Sequence, residues 1–599
     1  MQHVTFVKNK RGRFTLDEIE TLTERIIRFG PFPDNVIARK VHVSRDMTGA
    51  AFWFSNEDGG PQPVESATQV VYAVGYPVPA EEQLQGLVAG PLLHRQIGLM
   101  SGRFSAAIFD LDHGDACAAV PLARQDPVYH TDSGDLLCMG NWSASVAAAT
   151  QMGALSHEED KLFGFLNSGH FIADETFYKD VEALPGYSSI TTAGGQLSIS
   201  SDLYQTFVES IESVVDENVF HEITDALIAA CRTATDLSGQ IVLNLSGGKD
   251  SRLLLAAFVA AGFEVEGRTY SGGSSNESDV YSATLVAKAA GIKHEIVPYG
   301  TSPLADATET TVDFYQRTHG LLRASDASVV AWVNQTYNPR FNKRITLNGL
   351  GGELMRGGHA SKADQVALAA RQPTSTLQKR WGKFSTSFRP DLQLEFSNLI
   401  QNWMERFSPY QLTALQVADF GYLVTKLGRW GSAISRPGDI SHRSFYPFLD
   451  NRLTTLIYKL PPHLRVGDRL IHHLVSTLNP DLVNVPIAYD DWKCDGAAEN
   501  ARIRELHPRA FIPRGQGIGR NTDWRMNWLQ LLPEFKRQYL ESTDQVLRSM
   551  VNDAHVLKLL DGAATPNDRY FLFSLYAASI VRSGGLERDA ESHPLKVTL

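Results

Sequence analysis

The sequence holds 599 residues, of which 43% are hydrophobic and 21% charged, and its formal net charge is −11. Single hydrophobic cores stop growing near roughly 250 to 300 residues, so the chain is expected to form at least two domains and to fold throughout. The acidic balance argues against a nucleic-acid partner. With neither a signal-peptide pattern nor an apolar run of about 18 residues, the chain is expected to be cytoplasmic, with no membrane partner.

The first third of the chain has the pattern of an antiparallel β-rich domain. Short alternating or apolar runs, punctuated by Gly, Pro and Asp, occupy residues 68–74, 104–110 and 136–139. Near Phe220 the pattern changes to apolar residues three and four positions apart, which predicts a helix. We therefore predict two domains, at residues 1–205 and 206–599.

The second domain is predicted to begin with alternating strands and helices. Apolar, β-branched runs are each followed by a short turn, and this order is typical of a parallel sheet. Strands are predicted at residues 241–245, 265–270 and 294–297, and helices at 253–261 and about 279–290. Beyond about residue 360 the pattern is largely helical, and the arginine- and lysine-bearing stretch 371–389 predicts a solvated insertion.

A glycine-containing loop joins the first of these strands to the first helix. The backbone N–H groups of such a loop converge with the positive end of the helix and favour an anion. Two glycines permit close approach, two serines offer hydroxyls and one aspartate suits a divalent cation. These residues are Ser246, Gly247, Gly248, Asp250 and Ser251. The spacing is neither that of a Walker A loop nor GxGxxG. It resembles the loop of the ATP pyrophosphatases, although a plain strand-to-helix turn is the alternative.

Further segments stand in the order found in asparagine synthetase-like enzymes. Residues 99–110 resemble the L-x-G-x-F-A-x-x-I-x-D stretch of the class II glutaminase domain, and 127–129 resemble its P-L-Y-Y step. Residues 346–358 resemble the S-G-x-G-x-D-E-x-F-G-G turn, and 447–450 match P-F-L-D. The resemblance implies an α/β protein: an N-terminal antiparallel, Ntn-hydrolase-like domain, then a parallel-sheet ATP-pyrophosphatase domain of the adenine nucleotide α-hydrolase type with a helical C-terminal region.

The same resemblance implies a site for ATP and Mg²⁺. Asp250 and Glu353 would hold the metal on the pyrophosphate, with Glu353 standing where the family usually has aspartate. Lys493 is the predicted catalytic cation, and Arg514 is the competing candidate. The residues predicted to contact the nucleotide are Leu245, Ser246, Gly247, Gly248, Asp250, Ser251, Tyr270, Ser271 and Gly351.

The glutaminase half of the resemblance is incomplete. In this family the nucleophile is a cysteine directly after the initiator methionine, whereas residue 2 here is Gln2 and the first cysteine is Cys117. The arginine-aspartate-glycine loop is contracted to residues 124–126. The first domain is therefore predicted to lack glutaminase activity and to serve as a scaffold or in substrate recognition.

We predict an AMP-forming carbon–nitrogen ligase that makes an amide bond through an acyl-adenylate. Two branches of the family lack the cysteine, the lasso-peptide cyclases and the β-lactam synthetases. Leu350 stands where the second branch carries a tyrosine. Macrolactam closure of a peptide is therefore favoured, with a leader-binding or protease partner left open. Asn348 and His359 are candidates for substrate contact.

Three alternatives stay open. The first is an intermolecular ligase that joins an amine to a small carboxylic acid of a natural-product or polysaccharide pathway. The second is another ATP pyrophosphatase, such as an NAD or GMP synthetase or a sulfur-inserting tRNA enzyme. The third, from another class, is a catalytically dead binding protein, against which the complete Ser246 to Ser251 loop argues.

Overall fold

The computed structural model describes most of the chain. The described residues are 1–31, 36–56, 61–159, 161–206, 218–237, 240–274, 276–298, 344–358, 385–405, 414–435, 444–494, 497–514, 516, 532–541, 544–564 and 568–583. His359 and residues 371–384 of the predicted insertion at 371–389 lie outside them. The predicted domain boundary near 205 stays a prediction, because residues 207–217 are also outside.

The first region contains twelve strands among its described residues. They are β1 (Gln2–Asn9), β2 (Ala38–Val43), β3 (Gly49–Ser55), β4 (Val64–Glu65), β5 (Gln69–Gly75), β6 (Phe104–Asp110), β7 (Ala116–Val120), β8 (Tyr129–Ser133), β9 (Leu136–Gly140), β10 (Glu182–Ala183), β11 (Ser188–Ala193) and β12 (Gln196–Ser201). They form two antiparallel six-stranded sheets, with the orders β10-β8-β9-β1-β3-β2 and β12-β11-β7-β6-β5-β4.

The two sheets pack face to face between two layers of helix. The helices are α1 (Leu16–Arg28), α2 (Glu81–Gln85), α3 (Leu93–Gly98), α4 (Ser143–Thr150) and α5 (Leu162–Ser168). Because side chains alternate along a strand, Val4 and Phe6 of β1 enter the core between the sheets. Val7 points to the opposite face, which packs with α1 and α4. The predicted β-rich first region is confirmed.

The second region is built on a five-stranded parallel sheet. Its strands are β13 (Ile241–Asn244), β14 (Glu266–Ser271), β15 (His294–Pro298), β16 (Ile345–Leu347) and β17 (Ser444–Phe445), in the order β15-β14-β13-β16-β17. Helices α6 (Asn218–Leu237), α7 (Asp250–Ala260) and α8 (Glu277–Ala289) accompany it. The strand order reverses between β13 and β16, and ligands of parallel sheets bind at such a switch point.

Helices dominate the remainder of the described chain, as predicted. They are α9 (Pro390–Glu405), α10 (Ala414–Gly421), α11 (Asn451–Tyr458), α12 (Pro462–Arg465), α13 (Arg469–Leu478), α14 (Ala497–Leu506), α15 (Leu532–Glu541), α16 (Gln545–Met550), α17 (Asp553–Lys558) and α18 (Arg569–Arg582), together with a π-helix at Tyr422–Gly431. None of the helices in this described part combines the length and apolarity that crossing a bilayer requires.

Two segments recognised in the sequence meet at the junction of the regions. Asp450, the last residue of the P-F-L-D segment, accepts a hydrogen bond from the Gly102 N–H at 2.6 Å. The next residue, Asn451, donates its own N–H to the Gly102 carbonyl at 2.7 Å and its side-chain amide to the Phe104 carbonyl at 2.9 Å. Both are almost completely buried. The sandwich is thus joined by buried polar bonds to the strand-and-helix region.

Candidate active site

The loop after β13 is fixed by its own serines. The Ser251 hydroxyl lies 3.0 Å from both the backbone nitrogen and the hydroxyl of Ser246, and the Ser246 hydroxyl accepts the Gly248 N–H at 3.2 Å. The Gly247 N–H donates to Asp279 at 2.9 Å. Helix α7 begins directly afterwards at Asp250. The positive end of a helix therefore opens at the switch point of the sheet, as an anion site requires.

Two glycines in this site have no room for a side chain. A Cβ on Gly247 would lie 2.6 Å from the Cβ of Ser282 and 2.7 Å from that of Ala488. A Cβ on Gly352 would lie 2.3 Å from the Cγ of Asp250. Such distances are far below van der Waals contact. The loop therefore packs against Ser282 and Ala488 only because residue 247 is glycine, and the turn after β16 approaches Asp250 only because residue 352 is glycine.

Asp250 faces a short 3₁₀ helix, Gly352–Arg356, that follows β16. Arg356 makes two parallel bonds to its carboxylate, from Nε at 3.2 Å and from Nη2 at 2.9 Å. The same Nη2 lies 4.0 Å from a carboxylate oxygen of Glu353, whose other oxygen accepts the Tyr422 hydroxyl at 2.8 Å. Burial raises the pKa of Asp250, and Glu353 adds to the rise while Arg356 opposes it.

Asp250 and Glu353 are suitable ligands for Mg²⁺. Both carboxylates approach one cationic nitrogen, that of Arg356. Within the described chain, no cluster of three or more His, Cys, Asp or Glu side chains could hold a metal alone. Magnesium commonly takes one or two protein carboxylates and completes its shell with phosphate oxygens and water. The donor set therefore fits a metal that arrives with a phosphate ligand.

Lys249 lies beneath the loop between two carboxylates. Its ammonium nitrogen is 2.6 Å from Asp468 and 2.9 Å from Asp490, and its side chain is only 4% exposed. Asp468 has a left-handed backbone with φ of 63°, an uncommon conformation for this residue. The sequence alone assigns no role to Lys249, because its partners are more than 200 residues away in the chain.

The two predicted cations have different partners. Lys493 donates its N–H to Asp468 at 3.1 Å and pairs its ammonium with Asp490, so it shares both partners of Lys249. Its side chain is half exposed. Arg514 lies over the ring of Tyr489 at 5.1 Å. The structure therefore brings Lys493 to the same carboxylates as Lys249, whereas Arg514 contacts Tyr489.

The other predicted nucleotide contacts lie along the carboxyl edge of the sheet. Tyr270 and Ser271 end β14, and the Tyr270 carbonyl accepts the side-chain amide of Asn276 at 2.8 Å. Gly351 has φ of 93°, and a Cβ placed on it would lie 2.6 Å from Cδ2 of Leu449. Leu245 is fully buried. Contact of these residues with a nucleotide stays a prediction, and Leu245 also belongs to the core.

Arg252 connects the loop helix to the segment that carries Lys493. Its guanidinium is buried and donates to the carbonyls of Leu482, Val485 and Pro486, at 3.0, 2.6 and 2.7 Å. It also lies 5.8 Å from the ring of Trp492. Burial lowers the pKa of Arg252 to about 9. Arg252 therefore fixes the segment 482–486 to α7.

The cysteines differ sharply in exposure. Cys117, Cys138 and Cys231 are buried, whereas Cys494, directly after Lys493, is exposed. Burial raises the pKa of Cys117 to about 11 and also raises those of Cys138 and Cys231. Three of the four thiols are therefore shielded from solvent.

Comparison with known proteins gives one family match. Residues 222–475, which include the loop, the facing turn and the P-F-L-D segment, match the asparagine synthase family model. This part of the chain is therefore similar to an asparagine synthase domain. The match covers less than half of the chain and supports ATP-dependent carbon–nitrogen bond formation in general.

The other comparisons add nothing to this assignment. No curated protein matches. Among solved structures, the allosteric regulatory enzyme of purine biosynthesis is similar at 9% identity, with 50% of this chain and 81% of that chain covered. The TM-score is 0.23, which is too low to carry a conclusion about shared fold or function.

Proposed function

We propose that the protein forms an amide bond at the expense of ATP, through an acyl-adenylate, and without hydrolysing glutamine. The observation that carries this proposal is that helix α7 begins at the switch point of the sheet. There Asp250 lies against Gly352, and both Asp250 and Glu353 approach the same nitrogen of Arg356. This arrangement suits a pyrophosphate held with a metal, and it lies within the region that matches the asparagine synthase family.

The residues of the chain have separable roles in this proposal. The first turn of α7 would bind phosphate oxygens through its backbone N–H groups, and Asp250 and Glu353 would hold Mg²⁺. Bound there, the metal would neutralise charge that develops on the leaving pyrophosphate. Lys493 lies where its ammonium could stabilise negative charge on the reacting acyl group or the leaving phosphate.

The proposed reaction has two steps. A carboxylate oxygen of the substrate attacks the α-phosphorus of ATP, and the bond to pyrophosphate breaks. An amine nitrogen then attacks the acyl carbon, loses a proton, and the bond to AMP breaks. Catalysis of such transfers depends mainly on positioning and charge neutralisation, which the ionic network of the buried Lys249 and Asp468 with the partly exposed Asp490 favours.

The state of the first region supports a reaction without glutamine. Residue 2, at the start of β1, is Gln2, and its side chain is buried. The contracted turn at 124–126 is also buried, and Gln125 donates to the Leu427 carbonyl at 2.8 Å. We propose that this region acts as a scaffold, and that the amine belongs to the acceptor substrate.

For the substrate we propose a linear peptide that is closed into a macrolactam between its N-terminal amine and an internal Asp or Glu. This choice extends the sequence resemblance to lasso-peptide cyclases. The experiment below distinguishes this peptide cyclase from two alternatives, an intermolecular ligase and a non-catalytic binding protein.

The deciding experiment is pyrophosphate release from Mg-ATP with a panel of acceptors. The panel contains linear peptides with an internal Asp or Glu, aspartate with ammonia, and simple amino acids with amines. Release of pyrophosphate and AMP only with peptides supports the cyclase. Release with a small acid and an amine would instead select the intermolecular ligase. If no acceptor gives pyrophosphate and ATP does not bind, the proposal of catalysis is contradicted.

Two variants make the experiment specific. Asp250→Ala should abolish release, because it removes the proposed metal ligand from the loop. Asp391→Ala is the matched control, since Asp391 is also paired with an arginine through two hydrogen bonds, but on an exposed surface. Equal activity of Asp250→Ala and the control would contradict the proposed site.

A further inference from the structure

Arg356 stands at the place where the proposed metal would bind. Its two bonds to Asp250 use both carboxylate oxygens, and its Nη2 is also the atom 4.0 Å from Glu353. Asp468 contributes a further electrostatic attraction. The guanidinium is therefore attracted by three carboxylates, two of which are the proposed metal ligands.

The pair between Arg356 and Asp250 is shielded from solvent. The two side chains are 19% and 22% exposed, and paired hydrogen bonds between an arginine and a carboxylate are stronger than single ones. Breaking such a pair without replacing the partner leaves a poorly solvated charge, which is unfavourable. A metal ion alone would have to displace Arg356 and leave its guanidinium without its two hydrogen bonds to Asp250.

A nucleotide would remove this obstacle. Phosphate oxygens accept paired hydrogen bonds from a guanidinium as carboxylates do. Arg356 lies on the 3₁₀ helix that faces the loop, so a phosphate bound at the start of α7 would be a near replacement for Asp250. Asp250 would then be available to the metal.

We propose that Arg356 is a resident cation that holds Asp250 in the nucleotide-free protein and releases it when nucleotide and metal bind together. This inference rests on the proposed function. Its consequence is positive coupling: Mg²⁺ binds weakly alone and more tightly with ATP, and by linkage ATP binds more tightly with Mg²⁺.

The test measures Mn²⁺ binding without nucleotide, by the electron paramagnetic resonance signal of free Mn²⁺. The variants are Arg356→Met and the matched control Arg389→Met, which removes the exposed two-bond pair with Asp391. We expect Arg356→Met to bind Mn²⁺ at least about tenfold more tightly than the wild type, and the control to be unchanged. Unchanged or weaker Mn²⁺ binding by Arg356→Met would overturn the inference.

Three further measurements complete the design. Arg356→Lys keeps the positive charge but cannot make two parallel hydrogen bonds, so its Mn²⁺ affinity should lie between those of the wild type and Arg356→Met. This variant replaces Arg356→Met in the test if the methionine variant fails to fold. Combining Arg356→Met with Asp250→Asn should abolish the gained Mn²⁺ binding. Addition of α,β-methylene-ATP should tighten Mn²⁺ binding to the wild type much more than to Arg356→Met, and an equal effect would contradict the coupling.

Failure of this inference differs from failure of the proposed function. If no acceptor gives pyrophosphate but Arg356→Met gains Mn²⁺ binding through Asp250 and loses the coupling, only the adenylation proposal fails. If pyrophosphate release is observed but Mn²⁺ binding is indifferent to Arg356, only the resident cation is rejected.

Discussion

At the scale of single residues, the contact between Gly352 and Asp250 sets the geometry of the proposed site. The 3₁₀ helix approaches the loop so closely that no side chain fits at position 352. The same helix supplies Glu353 and Arg356. The separation of the two proposed metal ligands therefore depends on one missing methyl group.

Gly352→Ala should reduce pyrophosphate release by about two orders of magnitude, because its Cβ would displace the Asp250 carboxylate and misplacement by about 1 Å can cost that much. The measurement is the rate with the acceptor found by the panel, together with thermal unfolding. Gly153→Ala is the control, since a Cβ there meets nothing within 4 Å. Near wild-type turnover by Gly352→Ala would show that the close approach does not position the carboxylate.

Residue identities in the site were more predictable than their partners. The loop residues Ser246 to Ser251 and the carboxylates Asp250 and Glu353 follow from local motifs, and the structure brings them to one place. The pairing of Lys249 with Asp468 and of Arg356 with Asp250 joins residues separated by 219 and 106 positions. Such pairs depend on how the chain folds back, which no local pattern reveals.

At the scale of elements, the π-helix Tyr422–Gly431 links the first region to the proposed site. Its first residue donates a hydroxyl to Glu353. Farther along, the Leu427 carbonyl accepts from Gln125, and Arg429 donates to the carbonyl of Glu175. A π-helix is rare and occurs often at functional sites, and this one holds a proposed metal ligand from one end.

Tyr422→Phe should raise the KM for Mg²⁺ at saturating ATP by about three- to tenfold, because Glu353 loses a hydrogen bond of about 1 kcal/mol that orients it. We expect a smaller change in kcat. Tyr72→Phe is the control: it too removes a buried hydroxyl, one that bonds His42 in the sandwich at 2.7 Å. An identical KM for Mg²⁺ in Tyr422→Phe and the wild type would reject the positioning role.

The regular elements were well predicted, whereas the π-helix was not. The strands β13, β14 and β15 and helices α7 and α8 follow from apolar periodicity and from glycine turns. A π-helix has the same local composition as an α-helix, and here its carbonyls are engaged by Gln125 of another region. Its form therefore reflects tertiary contacts that periodicity does not contain.

At the scale of the whole molecule, the junction at Asp450 predicts a dependence of stability on pH. Burial raises the pKa of Asp450 to about 7, against the opposing N–H bonds from Gly102 and Leu453. An unfolded aspartate titrates near about 3.9. The free energy of unfolding therefore contains the full contribution of the protonated side chain below about pH 4. This contribution, on the order of 4 kcal/mol, is lost as the pH rises through about 7.

The check is the thermal midpoint of wild type and Asp450→Asn between pH 5 and pH 8. Because asparagine cannot ionise, the midpoint of the wild type should fall relative to that of the variant by several degrees over this range. Asp391→Asn should run parallel to the wild type, since its hydrogen bonds with Arg389 lower the pKa of Asp391. Parallel curves for Asp450→Asn as well would contradict the raised pKa.

The uneven burial of the thiols makes the native protein suitable for labelling at one site. The only exposed cysteine of the four is Cys494, and it follows Lys493 directly. A maleimide dye at neutral pH should therefore attach there without any engineered substitution, since the other three thiols are shielded. The fluorophore would lie beside the wall that carries Asp490 and Trp492, and its emission would report the arrival of a ligand in real time.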